Sequence, residues 1–447
     1  MKIFNLISGF VLTFALFDAA QAASSPTANQ QQIARGQYLA RVGDCVACHT
    51  ARNGQPFAGG LPIQTPLGKV YSTNITPDKE TGIGTWSYDD FARLMRHGET
   101  KAGYAVYPAM PYPSYSRTSD ADMHALYAYF QLGVQPVSQE SYGTTIPWPL
   151  SIRWPLKIWR AMFAPTPAPY AGVDADAGDQ EASVALGAYL VEGLGHCGSC
   201  HTPRGVALQE RALTGEGSSI YLSGGGAIDG WIAPSLRNEH GGGLADWSVA
   251  DIAEFLHSGR NQRSAAFGAM NDVIVESTQF MTDRDRASIA AFLKSLPPHR
   301  TDATPYAYDN HISQALYAGQ VPGAGAQVYL DRCAACHKSN GKGNGKAFPA
   351  LAGNAVLQTG DPTSAIHIVL SGAAMPATRA APSALTMAPY AHVLNDQQIA
   401  DVVSFIQTNW GNSGGKATAD QVATLRKTAV PVSARGRTPG TSGERSR

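Results

Sequence analysis

The chain has 447 residues, of which 34 are basic and 34 acidic, so its formal net charge is zero and nothing in it indicates a nucleic-acid partner. Charged residues make up only 15% of the chain, beside 46 Gly and 28 Pro. This composition indicates a loop-rich protein, and the length alone predicts about three domains.

The amino terminus predicts export. Lys2 precedes an apolar run from Ile3 to Phe17, and Ala20-Gln21-Ala22 has the small residues of a cleavage site. We expect residues 1–22 to be a signal peptide, because the apolar run is shorter than the roughly 20 residues that a membrane-spanning helix needs. An uncleaved anchor is the alternative. Later in the chain, no apolar stretch is long enough to span a bilayer.

The pentapeptide Cys-x-x-Cys-His occurs three times and uses every cysteine in the chain. The motif places two sulfurs on one side of a helical turn, with a histidine beside them, and is the attachment signature of c-type haem. Zinc ribbons need two cysteine pairs close together in sequence, whereas these pairs lie far apart. We therefore expect three covalently bound haem c groups, attached at Cys45, Cys48, Cys197, Cys200, Cys333 and Cys336, with His49, His201 and His337 as iron ligands.

The motifs lie in an internal repeat. Each follows a helical segment that contains a glycine, at Gly36, Gly187 and Gly325. A second amphipathic helix ends at a glycine in each repeat. A last helix is then predicted, with a Ser, Thr or Asn cap and acidic first turn, over Ser119–Leu132, Thr282–Leu296 and Asn395–Trp410.

With so little strand patterning, the repeat predicts an all-α fold of three tandem class I cytochrome c domains joined by Pro-rich linkers. The expected boundaries are residues 30–140, 181–298 and 321–413 for the domains and 141–180 and 299–320 for the linkers, followed by a tail at 414–447. The distal part of the tail has the composition of a disordered segment. The glycines at 224–226 are interpreted as a loop around haem.

The second axial ligand of the iron separates electron carriers from oxygen binders and peroxidases, and a methionine there raises the reduction potential. We expect one methionine per repeat, in the loop before the last helix. Met110, beside Pro111, is favoured in the first repeat and Met270 in the second. Three other methionines have core-like positions and are interpreted as packing residues: Met95, Met123 and Met281.

The third repeat offers Met375 and Met387. Met387 precedes the last helix by about as many residues as Met110 does, and its Met-Ala-Pro-Tyr context echoes the Met-Pro-Tyr of the first repeat. We select Met387, with Met375 as the alternative. Ligation by a second histidine in any repeat also stays open, and His196, next to Cys197, is expected near the second haem.

Taken together, longer strings around the motifs resemble the triple-haem cytochrome c subunit of bacterial membrane-bound alcohol and sugar dehydrogenases. That group includes quinoprotein alcohol dehydrogenase and the flavin-dependent gluconate, fructose and sorbitol dehydrogenases. The likeness runs from Ala34 to Asn412. It includes Gly43–Thr50, Tyr71–Asp78, Tyr107–Tyr112, His196–Gly205 and Ala233–Asn238.

The resemblance implies a non-catalytic subunit at the periplasmic face of the cytoplasmic membrane. A large partner carrying flavin or pyrroloquinoline quinone would oxidise an alcohol, sugar or sugar acid, and this chain would pass the electrons to ubiquinone. A small third subunit is an optional further partner, and the short basic tail favours a flavin-linked partner. A free periplasmic carrier and a haem enzyme such as a peroxidase or reductase are the alternatives.

Membrane contact would then be peripheral. The segment Ile146–Phe163 carries three tryptophans and three basic residues, a composition suited to a lipid interface, but a linker packed between domains is the favoured interpretation. Three prolines in the segment argue against one continuous interfacial helix.

Overall fold

The computed structural model describes residues 27–164, 166–170, 183–228 and 230–430. The predicted signal peptide, part of the first predicted linker and the end of the tail lie outside these ranges. The described chain is mainly helical, as predicted, and also contains three short two-stranded antiparallel sheets that the sequence pattern did not indicate. Within the described ranges, no helix combines the length and apolar character needed to cross a membrane.

The first unit (residues 27–140) begins with a long helix, and its last helix packs against that first helix. Its elements are α1 (Ala28–Val42), α2 (Cys45–Cys48), β1 (Pro62–Thr65), β2 (Gly68–Tyr71), α3 (Tyr88–His97), α4 (Tyr112–Tyr115) and α5 (Asp120–Ala128), which continues as a π-helical turn over Tyr129–Gly133. A further helix, α6 (Pro155–Phe163), follows in the predicted linker.

The second unit (residues 183–298) repeats this order, whereas in the third unit (residues 321–430) the two strands follow the middle helix. The second comprises α7 (Val184–Glu192), α8 (Gly198–His201), β3 (Ala227–Ile228), β4 (Trp231–Ile232), α9 (Val249–Ser258), α10 (Met270–Glu276), a 3-10 turn (Thr278–Phe280) and α11 (Asp283–Ser295). Helix α12 (His311–Tyr317) lies in the connection. The third comprises α13 (Ala324–Arg332), α14 (Ala334–His337), a 3-10 turn (Ala355–Gln358), α15 (Thr363–Ser371), β5 (Ala373–Ala374), β6 (Thr386–Met387), α16 (Asp396–Thr408) and α17 (Ala419–Arg426).

The predicted caps of the last helices are confirmed. The side chains of Ser119, Thr282 and Asn395 each accept a hydrogen bond from the backbone N–H three residues later, which satisfies one of the amides that a helix start leaves unpaired. The middle helices α3 and α9 end as predicted at Gly98 and Gly259, both in the left-handed conformation that glycine adopts without steric cost.

In every unit, the first and last helices cross at the glycine of the repeated lead-in. A Cβ atom on Gly36 would lie 1.9 Å from the carbonyl oxygen of Ala125 in α5. The corresponding distance is 2.0 Å from Gly187 to the Ser288 oxygen, and 2.4 Å from Gly325 to the Asp401 oxygen. All three crossings therefore bring two helix backbones closer than any side chain allows.

The first two units share one hydrophobic core, whereas the third has its own. The shared core runs from Leu39 in α1 to Leu296 after α11. The core of the third unit, called the third core below, runs from Ile312 in α12 to Val422 in α17. Units one and two are thus packed together as a pair.

Helix α17 lies beyond residue 413, where the third domain was expected to end. Its Val422 is fully buried in the third core, and Arg426 pairs with Asp396 at 2.7 Å and donates to the Leu394 carbonyl at 3.0 Å. The start of the tail is therefore part of the third unit. The sequence signal was weak because the helix has only one buried apolar position.

We expect Gly187→Ala to destabilise the protein by about 1–3 kcal/mol, the usual cost of overpacking, because the new methyl group meets a backbone carbonyl. Gly360→Ala, in the third unit, is the control, since a Cβ there has no atom within 4 Å. Thermal unfolding of the two variants measures the difference. Equal midpoints would contradict a close helix crossing at Gly187.

Candidate haem-binding site

Each Cys-x-x-Cys-His motif forms a single helical turn directly after the first helix of its unit. The first cysteine is partly buried and the second is exposed. Burial raises the pKa of Cys45, Cys197 and Cys333 to about 12. Burial thus disfavours the thiolate form that zinc binding and disulfide exchange require.

The three motif histidines make the same hydrogen bond. Nδ1 of His49 lies 2.7 Å from the Thr73 carbonyl oxygen, Nδ1 of His201 lies 2.7 Å from that of Pro234, and Nδ1 of His337 lies 2.9 Å from that of Pro349. Since a carbonyl only accepts, Nδ1 carries the proton and Nε2 has a free lone pair. Burial also lowers the pKa of all three histidines, which favours the neutral form that ligates metal.

In the first unit, a buried asparagine secures the acceptor carbonyl. Asn74 follows Thr73, and its amide group donates to the carbonyl oxygens of Val137 and Gln139 at 2.8 and 3.2 Å. Its side-chain oxygen accepts from the Thr76 amide at 3.0 Å. The loop that orients His49 is thereby tied to the end of its own unit.

In the second unit, a buried arginine has this role. Arg237 is three residues after Pro234, and its guanidinium donates to the carbonyls of Pro297 and Tyr221 at 2.7 and 2.9 Å. Arg237 belongs to the Ala233–Asn238 string that carries the family resemblance. The string therefore includes both the carbonyl that accepts from His201 and the arginine that ties this loop to its surroundings.

A glycine also contacts each motif histidine through the backbone. The amides of Gly59, Gly224 and Gly343 donate to the carbonyl oxygens of His49, His201 and His337 at 2.8, 2.9 and 3.0 Å. All three glycines have positive φ. The sequence analysis placed only the loop at 224–226 near a haem, because the spacing from histidine to glycine differs in every unit.

The predicted methionine ligands lie against the cores of their units. Met110 is in the turn before α4, Met270 begins α10 and Met387 is in β6, and each is partly buried. The methionines interpreted as packing residues are buried in the shared core, as expected: Met95, Met123 and Met281.

The two third-unit methionines have different surroundings. Met387 packs against the third core. The sulfur of Met375 instead accepts a hydrogen bond from the Arg260 guanidinium of the second unit, at 3.5 Å. Next to these residues, the Asn271 amide group donates to the Ala374 carbonyl at 2.8 Å. Met375 therefore belongs to the contact between the second and third units.

Units one and two are joined by reciprocal hydrogen bonds. Tyr38 of the first unit donates to Asp285 of the second, and Tyr189 of the second donates to Asp122 of the first at 2.7 Å. Each tyrosine lies two residues after the crossing glycine of its own unit, and each aspartate lies in the first turn of a last helix. The two units thus contact each other in an approximately symmetric way.

Stacked rings also connect neighbouring units, and one stack lies next to a motif. His196, which directly precedes Cys197, stacks on Tyr115 of the first unit with ring centroids 5.7 Å apart. Between the second and third units, Trp231 and His367 stack at 4.0 Å, and His367 Nδ1 contacts the Gly230 carbonyl at 2.9 Å. These contacts help to hold neighbouring units against each other.

The donor set fits haem c. Each motif supplies two sulfurs, a neutral imidazole with a free Nε2 and a nearby core that contains a methionine. Among the described residues, no group of three or more His, Cys, Asp or Glu side chains is arranged to hold a metal ion.

We expect Asn74→Ala to lower the free energy of unfolding by about 1–3 kcal/mol, because it leaves buried carbonyls without their donor. It should also shift the reduction potential of one haem only, since the Thr73 carbonyl that orients His49 loses its support. Gln64→Ala, an exposed amide in the same unit, is the control. Thermal unfolding and a redox titration measure both effects, and an Asn74→Ala protein that matches the control would contradict this role.

Comparison with known proteins agrees with this geometry. The cytochrome c family model matches residues 33–132 and 323–410. The chain is 52% identical to the gluconate 2-dehydrogenase cytochrome c subunit of Pantoea cypripedii, over 91% of this chain and 92% of that protein. It is 49% identical to the alcohol dehydrogenase (quinone) cytochrome c subunit of Gluconobacter oxydans, over 93% and 86%. It is 34% identical to the fructose dehydrogenase cytochrome subunit of Gluconobacter japonicus, over 95% and 90%.

Proposed function

Because the chain belongs to the family of cytochrome c subunits of bacterial dehydrogenases, we propose that it relays electrons through three c-type haems from a partner dehydrogenase to ubiquinone. The observation that carries the proposal is the hydrogen bond from each motif histidine to a backbone carbonyl, which occurs three times and leaves Nε2 available for iron each time. Haem iron, when bound, supplies one-electron redox chemistry.

The three units are proposed to be tandem cytochrome c domains joined by Pro-rich linkers. The three helix crossings, with a glycine under a backbone carbonyl in each, support this division. The cysteines of each motif would hold the porphyrin covalently, and the motif histidine would be one axial ligand. The domain boundaries stay as predicted, except that the third domain is extended to include α17.

The second axial ligands are proposed to be Met110, Met270 and Met387. Each is partly buried against the core of its unit, as a residue that faces a cofactor must be. Met387 is preferred over Met375 because the Met375 sulfur is engaged by Arg260. A thioether in this position stabilises the reduced iron and blocks access to other ligands, which suits an electron carrier.

The partner is proposed to be a large flavin- or pyrroloquinoline-quinone-dependent subunit, in a complex at the periplasmic face of the cytoplasmic membrane. The names of the relatives, which pair such cytochromes with gluconate, alcohol and fructose dehydrogenases, support this setting. The substrate belongs to the partner. A small third subunit would complete the complex in the same setting.

Replacing the third proposed ligand tests the assignment. We expect Met387→Leu to remove roughly a third of the weak far-red absorbance of Met-ligated ferric haem and to lower one reduction potential. Met375→Leu is the matched control and should retain the band. The opposite result would make Met375 the ligand.

Carbon monoxide separates the relay from a haem enzyme. Three iron centres closed by methionine should bind little carbon monoxide after reduction, whereas an open haem of a peroxidase or reductase binds it readily. Difference spectra of the reduced holoprotein measure this, and strong binding at any site would show that the site is not a simple carrier.

The complex itself is tested by purification from native membranes. We expect a flavoprotein or quinoprotein dehydrogenase to co-purify with the chain, and substrate oxidation by that complex to reduce a ubiquinone analogue. Recovery of the chain alone from the periplasm, with no dehydrogenase attached, would support the free carrier instead.

A further inference from the structure

Exposed apolar side chains are concentrated in one short segment after the first unit. Between positions 148 and 162, six large apolar side chains are exposed, and we call this group the linker patch. It consists of Trp148, Leu150, Ile152, Trp154, Ile158 and Met162. Single exposed apolar residues are ordinary, but a contiguous group of this kind marks an interaction surface.

One face of α6 already holds the helix in place. The Trp159 indole donates to the Ala207 carbonyl of the second unit at 2.8 Å, and its ring packs on Tyr112 of the first. Arg160 pairs with Glu99 at 2.9 Å. Since these contacts fix the helix between two units, the other face is not needed to hold it there.

That other face carries a regular apolar stripe. Trp154, Ile158 and Met162 are four residues apart along the chain, so they lie on one side of the helix. They are 51–64% exposed. Trp148, Leu150 and Ile152 extend the apolar surface into the preceding turns.

The segment that carries the patch has a positive net charge, which suits an anionic lipid surface. Residues 141–170 contain no Asp or Glu, and Glu99, an acidic side chain of the first unit that contacts α6, is paired with Arg160. Lys157 is exposed, and the Arg153 guanidinium lies 4.0 Å from the centre of the Tyr107 ring. Tryptophan prefers the boundary between headgroups and acyl chains, and basic residues pair with anionic headgroups. The core of a protein interface, in contrast, is depleted in lysine.

We propose that the linker patch docks the protein on the surface of an anionic phospholipid bilayer. The helix has nine residues and is about 14 Å long, about half the roughly 30 Å of a hydrocarbon core, so it lies on the membrane and does not cross it. This proposal rests on the proposed function in one respect, namely that electrons are delivered to a membrane quinone.

The test is flotation of the full holoprotein with vesicles of phosphatidylglycerol and phosphatidylcholine. The triple variant Trp154→Ser, Ile158→Ser and Met162→Ser should bind at least about tenfold more weakly. The control is Val249→Ser, Tyr317→Ser and Val393→Ser, three exposed apolar residues far from the linker in sequence. The control should bind like the unchanged protein, and haem spectra should show that both variants fold.

Lys157→Glu and vesicles of phosphatidylcholine alone should each weaken binding, because both remove the electrostatic contribution. Equal flotation of the linker variant and the unchanged protein would overturn the proposal. So would a linker variant that still floats but no longer associates with its dehydrogenase, since the patch would then be a protein interface. Reduction of a soluble quinone analogue by the complex tests the relay without vesicles, so the two proposals fail separately.

Discussion

The structure depends on the close crossing of the first and last helices in each unit. At Gly36, Gly187 and Gly325, the helix backbone lies directly under a carbonyl of the partner helix, with an aromatic side chain, Tyr129, Phe292 or Phe405, beside it. The motif turn follows the first helix within a few residues. The crossing thus sets where the cysteines and the histidine begin, and the loop after them only has to bring a carbonyl to Nδ1. One steric constraint is thus met in all three units, although the spacing of their later elements differs.

Structural features that depend only on nearby residues could be predicted from the sequence. Helix caps such as Ser119 and Thr282, the glycine ends of α3 and α9 and the burial of Met123 and Met281 follow from neighbours within one or two turns, and all are found. The acceptor carbonyls were not predicted, because every residue has a carbonyl and only the path of the chain decides which one reaches a histidine. The glycines that donate to the motif histidines were missed for the same reason. Each lies at a different distance along the chain from its histidine, so no common spacing identifies them.

The repeat pattern in the sequence likewise could not predict the contacts between units. The repeated Tyr38 and Tyr189 look alike in sequence, but only the fold shows that each bonds an aspartate of the other unit. The third unit departs from this pairing, has a separate core and meets the second through the Met375 loop and the stack of Trp231 on His367. A chain of three similar units is therefore assembled as a pair with a third unit added, and the neighbours of each proposed haem differ accordingly.

The linker shows what the fold adds to composition, which favoured an ordered linker over a lipid interface for its tryptophans. Trp159 and Trp154 are both aromatic residues of one short segment, yet Trp159 packs between the units while Trp154 faces outward. The segment is therefore an ordered linker, and it also presents an apolar face that its own packing does not use. Burying apolar surface is favourable, but nothing within the described chain covers this face. The apolar residues at 154, 158 and 162 therefore do not stabilise the fold of the chain in water. An external apolar phase accounts for their spacing, and the exposed Lys157 beside them suits a phase with a negative surface.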